Sequence, residues 1–207
     1  MSIIDRRLRL RCRSGQEGTV YGDPSIASNP MKILNETKGV IFPYTPTITY
    51  KQNPQWANQD LTHSIQQYYY FTAIESATIT IAGTFTVQNQ KEGEYLLAVW
   101  HFFRSYAKME FGVRAGEKKG LPPPILILDG YGHYVFNQLP VLIQTWNMDF
   151  PSDVDYAKVL VNGGDYAYLP TKTSIQINLV VQRPPNKLKT DFNLQDFRNG
   201  KSLAGFT

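Results

Sequence analysis

Residues 89–112 read NQKEGEYLLAVWHFFRSYAKMEFG, the one long stretch with a helical period in a chain otherwise rich in strand-like sequence. Leu96, Val99, Trp100, Phe103 and Ala107 recur at helical spacing, so a helix presents them on one face. Tyr95, Phe102 and Tyr106 widen that face and leave little beyond His101, Arg104, Ser105 and Lys108 for water. Asn89 followed by Glu92 is a capping signal, and Gly112 suits a left-handed stop. A helix this apolar needs a broad cover, and the sequence around it offers only a sheet. The stretch therefore predicts a mainly β fold with one flanking α-helix, anchored by Leu96, Trp100 and Phe103.

Immediately upstream, residues 62–74 and 76–90 read as two long strands joined near Glu75. In the second, Ala77, Ile79, Ile81, Phe85 and Val87 face one way. Ser76, Thr78, Thr80, Thr84, Thr86 and Gln88 face the other, with Gly83 a candidate bulge. The thirty residues from 61 to 90 hold one formal charge, Glu75, where the chain's 18% average predicts about five. A solvent face ordinarily draws on Lys and Glu for solubility and edge protection. A Thr/Gln/Tyr face without charges suits a sheet continued by neighbouring chains, or a wall past which a charged polymer slides. An ordinary wet face is the plainer alternative.

Further upstream, Arg7, Arg9, Arg11 and Arg13 alternate with Leu8, Leu10 and Cys12, a period of two. Extended, this segment is basic on one face and apolar on the other. It reads either as a solvated arm whose charges protect a sheet edge, or as an arm that docks on a neighbouring subunit or acidic partner. Residues 14–38 have no clear period and read as a linker, so residues 1–38 form a basic arm and linker. Residues 39–50 read as a proline-broken strand, and KQNPQWANQD at 51–60 as a polar turn region.

Downstream of the helix, VRAGEKKG at 113–120 is a basic loop without the spacing of a nucleotide-binding loop. Strands are expected over 125–128, 141–150, 156–161 and 172–183, with turns at 130–134 and 162–165. In the last strand Ile175, Ile177, Leu179 and Val181 point inward, and Ser174, Gln176 and Asn178 outward. Pro184-Pro185 stops it, which bounds a β domain at 39–183 and a C-terminal extension at 184–207. There Phe192, Leu194 and Phe197 are spaced for a short amphipathic turn.

At 207 residues the chain suits one domain with extensions. The lone Cys12 excludes an internal disulfide framework and points to folding in a reducing cytoplasm. No 18-residue apolar run and no signal-peptide centre are evident. A net charge of +4 permits an acidic partner without demanding one. Catalysis finds little support. His63, His101 and His133 have no zinc-binding spacing, His63-Ser64 lacks a nucleophile elbow, and Asp149, Asp153 and Asp155 sit beside a turn. No catalytic, metal or cofactor residue is assigned, and no nucleic-acid recognition motif is present.

A resemblance adds to these observations. GVIFPYTPTITY (39–50), DLTHSIQQYYYFTAIESATITIAGTFTVQN (60–89), EGEYLLAVWHFFRSYAKMEFG (92–112) and PPPILILDGYGHYVFNQLPVLIQTWNMDFPSDVDY (122–156) occur in this order. Together they resemble the tail-tube proteins of contractile-tailed bacteriophages and the baseplate proteins that start the tube. The resemblance covers residues 39–183, and FNLQDFRNGK (192–201) with a Gly-Phe-Thr end is similar to the close of tube initiators.

The resemblance implies a tail-tube-like β-sandwich or half-barrel with one helix. It further implies a homo-hexameric ring whose strands join a continuous β-barrel. The ring would stack on adjacent tube or baseplate rings, and the tape-measure protein and DNA would pass its lumen without specific recognition. The virion tail, assembled in the host cytoplasm, is the implied location. The basic arm and long C-terminus depart from a minimal tube subunit and favour a ring at the baseplate end. A carbohydrate-binding or adhesion module is the rival expectation, with Trp56 as its stacking platform.

Overall fold

The alternating sequence on both sides of residues 89–112 builds a seven-stranded antiparallel sheet. The structure, a computed structural model, describes residues 6–111, 119–161, 164–201 and 203–206. Strand accounts for 37% of it and helix for 20%. In chain order its elements begin with β1 (Arg9–Arg11), α1 (Glu17–Val20), α2 (Lys32–Thr37), β2 (Val40–Ile41), β3 (Thr47–Lys51), β4 (Pro54–Gln59), β5 (Tyr68–Ile74) and β6 (Thr78–Thr86). There follow α3 (Gln90–Tyr106), β7 (Leu126–Gly130), β8 (Phe136–Met148), β9 (Tyr156–Leu160), β10 (Tyr166–Pro170), β11 (Lys172–Val181), α4 (Pro185–Thr190) and α5 (Leu194–Arg198).

The sheet order is β2-β1-β7-β8-β11-β6-β3, so β2 and β3 are its edges and no barrel closes among the described residues. Alternation sorts the faces. Ile79, Ile81 and Phe85 of β6, Ile175, Ile177 and Leu179 of β11, and Leu139 and Val141 of β8 enter one buried core. Gly83 is not a bulge: β6 and β11 pair in unbroken register through Gly83↔Ile175. The irregularity lies in β8 instead, where Asn178 pairs with Thr145 but Leu179 with Ile143, leaving Gln144 as the extra residue.

Helix α3 starts where the capping signal predicts. Asn89 Oδ1 accepts from the Glu92 amide at 2.9 Å, and the Glu92 carboxylate accepts from the Gln88 amide at 2.9 Å. It ends at Tyr106; Gly112, Asn162, Gly163 and the basic loop at 113–118 lie outside the described residues. Its buried side is Leu96, Ala98, Val99, Phe102, Phe103 and Tyr106. Phe103 stacks on Trp146 of the sheet, ring centroids 5.7 Å apart. Trp100 corrects the expectation of burial: it is only part-buried, under the Arg104 guanidinium at 4.6 Å and edge-on to Phe150. Ala107 is exposed.

The displaced apolar stripe has a cause in residues 14–38, which are not a linker. Tyr21 packs on Phe102, Ser105 Oγ reaches Met31 Sδ, and Val20, Met31 and Leu34 join the same core as the sheet. The helix is therefore covered from two sides, and its buried arc turns toward Phe102 and away from Trp100. The β9–β10 ribbon closes a further side at Gly93, where a Cβ would collide with Val159. Gln90 clamps that ribbon by donating to the Leu160 carbonyl at 2.6 Å and accepting from its amide at 3.1 Å.

The arginine segment is likewise not a free, solvated arm but a strand of the sheet. β1 lies between β2 and β7, with Leu8, Leu10 and Cys12 fully buried. The alternation was legible; the strand's two hydrogen-bonded neighbours were not. The expected hairpin of residues 62–90 also takes a different form. β5 pairs with β4, so KQNPQWANQD is largely strand, and no pairing joins β5 to β6. Glu75-Ser76 lacks the Gly, Asn or Asp that a tight reversal requires, and the chain runs on from β5 into β6. The Glu75 amide donates to the Asn53 carbonyl there. The product is one long hairpin, β3–β4 up and β5–β6 down, whose inner half belongs to the sheet and whose outer half projects from it.

Candidate assembly surfaces

The face of the sheet opposite the core carries the charge-poor strand residues. Registers place Thr49, Thr80, Asn178 and Thr145 in one row across β3, β6, β11 and β8, and Thr47, Ala82, Gln176 and Asn147 in the next. The first row is tied together: Thr80 Oγ1 donates to Asn178 Oδ1 at 2.9 Å, and Asn178 Nδ2 donates to Thr145 Oγ1 at 2.7 Å. Thr84 faces Ser174, and Thr86 faces Lys172. Along β3, β6 and β11 charge enters this face only at the strand ends, through Lys172 and through Lys51 opposite Thr78. Ser76 is exposed just before β6. Gln88, just beyond β6, is exposed, and its backbone amide donates to the Glu92 carboxylate at the start of α3.

The projecting β4–β5 ribbon is the second surface, and neither its pairing nor its isolation was expected. Every residue of β5, YYYFTAI, is exposed. Trp56 and Phe71 pair edge-to-face on one side, 5.5 Å between centroids, and Tyr68 and Tyr70 lie on the other. Glu75 fixes the root by accepting from Asn53 at 3.0 Å and Gln55 at 2.6 Å. These amides hold its carboxyl below the usual glutamate range. A single signal hints at this ribbon in the sequence: turn-poor residues at 75–77 and polar, turn-prone ones at 60–67.

The arginines form the third surface. With Leu8, Leu10 and Cys12 turned inward, Arg9 and Arg11 lie on the outer side of β1, and Arg7 and Arg13 are exposed beyond its ends. Arg11 Nε donates to Asp129 Oδ2 at 2.6 Å. Arg6, Arg7 and Arg9 border a cleft of about 630 Å³ with His133, and Arg11 and Arg13 border one of about 530 Å³ with Arg183 and Lys187. Registers carried across β7, β8 and β11 put Arg11 and Thr80 on the same side of the sheet. They stand four strands apart, roughly 20 Å. Between them the C-terminal residues lie over β8: the Gly205 amide donates to the Asn137 carbonyl, and Arg183 Nε donates to the Gly205 carbonyl.

The three histidines do not converge. His63 is at the ribbon tip, His101 on α3 and His133 in the β7–β8 turn. Burial, with Arg104 and Lys108 nearby, pushes His101 below the usual imidazole range. Among the described residues no group of three His, Cys, Asp or Glu side chains is placed to hold a metal ion. No described helix is long and apolar enough to cross a membrane. In comparison with known proteins, the chain matches no family and no curated sequence.

Proposed function

We propose that the chain is a structural, ring-forming subunit of a contractile phage tail, at or near the baseplate, that starts or continues the tube through which DNA passes. The observation that carries this is the β4–β5 ribbon, two strands with every β5 residue exposed. A two-stranded ribbon is at best marginal alone in water, and its free edges invite pairing. Both costs disappear when six copies join their ribbons and sheets into one closed barrel.

The charge-poor face of β6 and β11 then serves as a wall. Lysine or arginine along it would hold passing phosphates, whereas Thr80, Asn178 and Thr145 satisfy one another and offer no cation. The arginine row, four strands away, meets carboxylates of an adjacent ring, where guanidinium makes two-pronged contacts. The tape-measure protein and DNA pass without specific recognition, and the assembled location is the virion tail.

Introducing Lys at Thr80 and Thr84 together tests the wall. The expected outcome is a folded subunit whose rings fail to close or whose particles eject DNA poorly. Normal rings in fully infectious particles would remove this strand from the channel. Exposed Trp56 supports a second reading, a carbohydrate-binding module. Glycan retention on an array, abolished by Trp56→Ala, would favour it instead.

A further inference from the structure

The ribbon root and the C-terminal helices enclose a groove of about 500 Å³. Leu188, Phe192 and Leu194, 38–51% exposed, line it with Phe197 and Ile74, and Glu75 and Arg183 are its charged lining residues. At the far end of the ribbon, the tip presents Leu61 and Ile65, 51% and 105% exposed. The tip has a fixed shape: the Ser64 amide donates to the Leu61 carbonyl, Ser64 Oγ donates to the Gln66 carbonyl, and His63 is held in the left-handed region at φ 61°.

We infer that the ribbon tip of one copy seats Leu61 and Ile65 in the groove of a second copy. The tip cannot fill its own groove, because the seven residues of β5 set it about 20 Å from the root. Charge favours the match. Residues 54–74 of the ribbon contain no Lys or Arg and carry Asp60, whereas residues 183–201 carry five cations, against Asp191, Asp196 and the groove-lining Glu75. Knob and groove are different surfaces, so the contact is head-to-tail and builds a ring or a filament. The inference rests on the proposed function for self-assembly alone, and not on what passes through the ring.

The test uses the full chain with Ile65→Cys in one preparation and Leu194→Cys in another, mixed and oxidised. Cys12 is buried and competes little. A disulfide-linked dimer specific to the mixture, and a ladder from the double variant, are expected. Links confined to like variants, or none, would overturn the inference. Six-fold rings without a 65–194 link would overturn the groove contact and leave the ring intact; a 65–194 ladder in open filaments would support the contact and overturn the ring. Ile65→Asp should weaken self-association about tenfold or more with an unchanged thermal midpoint. Undiminished association would overturn the contact independently.

Discussion

The aromatic ring of Phe42 occupies the space that a side chain on Gly83 would need. Phe42 is itself buried and packs on Phe85, centroids 5.7 Å apart, so it has no room to retreat. Gly83→Ala should therefore overpack the sheet and cost about 1–3 kcal/mol in urea unfolding. A variant as stable as the parent would mean that Phe42 packs elsewhere.

The helix gives a paired prediction. Phe103 is buried and stacked on Trp146, so Phe103→Ala should cost about 3–5 kcal/mol. Trp100 keeps partial solvent contact beneath Arg104, and Trp100→Ala should cost less, about 1–2 kcal/mol. Equal losses in thermal unfolding would contradict the orientation of α3.

At the ribbon root, the Asn53 and Gln55 amides lower the Glu75 carboxyl. A depressed carboxyl stabilises the folded form above its ordinary range, and that contribution is lost as pH falls through the folded value. Acidification should loosen the root first. By NMR, Glu75 should titrate below an ordinary glutamate and move up in Gln55→Ala; an ordinary midpoint in the parent protein would break the link between Glu75 and the ribbon.

Arg11 and Arg13 should separate under charge reversal. Arg11→Glu places a carboxylate beside Asp129, which also accepts from the Gln138 amide at 2.7 Å, and should cost about 1–3 kcal/mol. Arg13 is exposed, and Arg13→Glu should stay within about 0.5 kcal/mol. Thermal midpoints compare the two, and a neutral Arg11→Glu would leave the Asp129 pair without structural weight.

What the sequence makes legible here is local. The Asn89–Glu92 cap, the apolar period of α3 and the in-out alternation of β6 and β11 depend on residues within a few positions of one another. Partner choice depends on distant ones. Nothing in RLRLRCR announces that β1 sits between β2 and β7, and nothing in YYYFTAI selects β4 over β6 except the missing turn chemistry at Glu75-Ser76. Trp100 shows the same limit inside a helix, because residues 14–38 cover its other side and decide which arc is buried. The three candidate surfaces divide likewise. The Thr face follows from alternation, whereas the free ribbon and the shared side of Arg11 and Thr80 require the sheet order.

The central claim is that this open sheet and its free ribbon are completed by copies of the same chain. Negative-stain electron microscopy of the purified full-length protein tests it most directly. Six-fold rings with a central channel are the predicted result. Monomers that persist at high protein concentration, or oligomers lacking a channel, would contradict it.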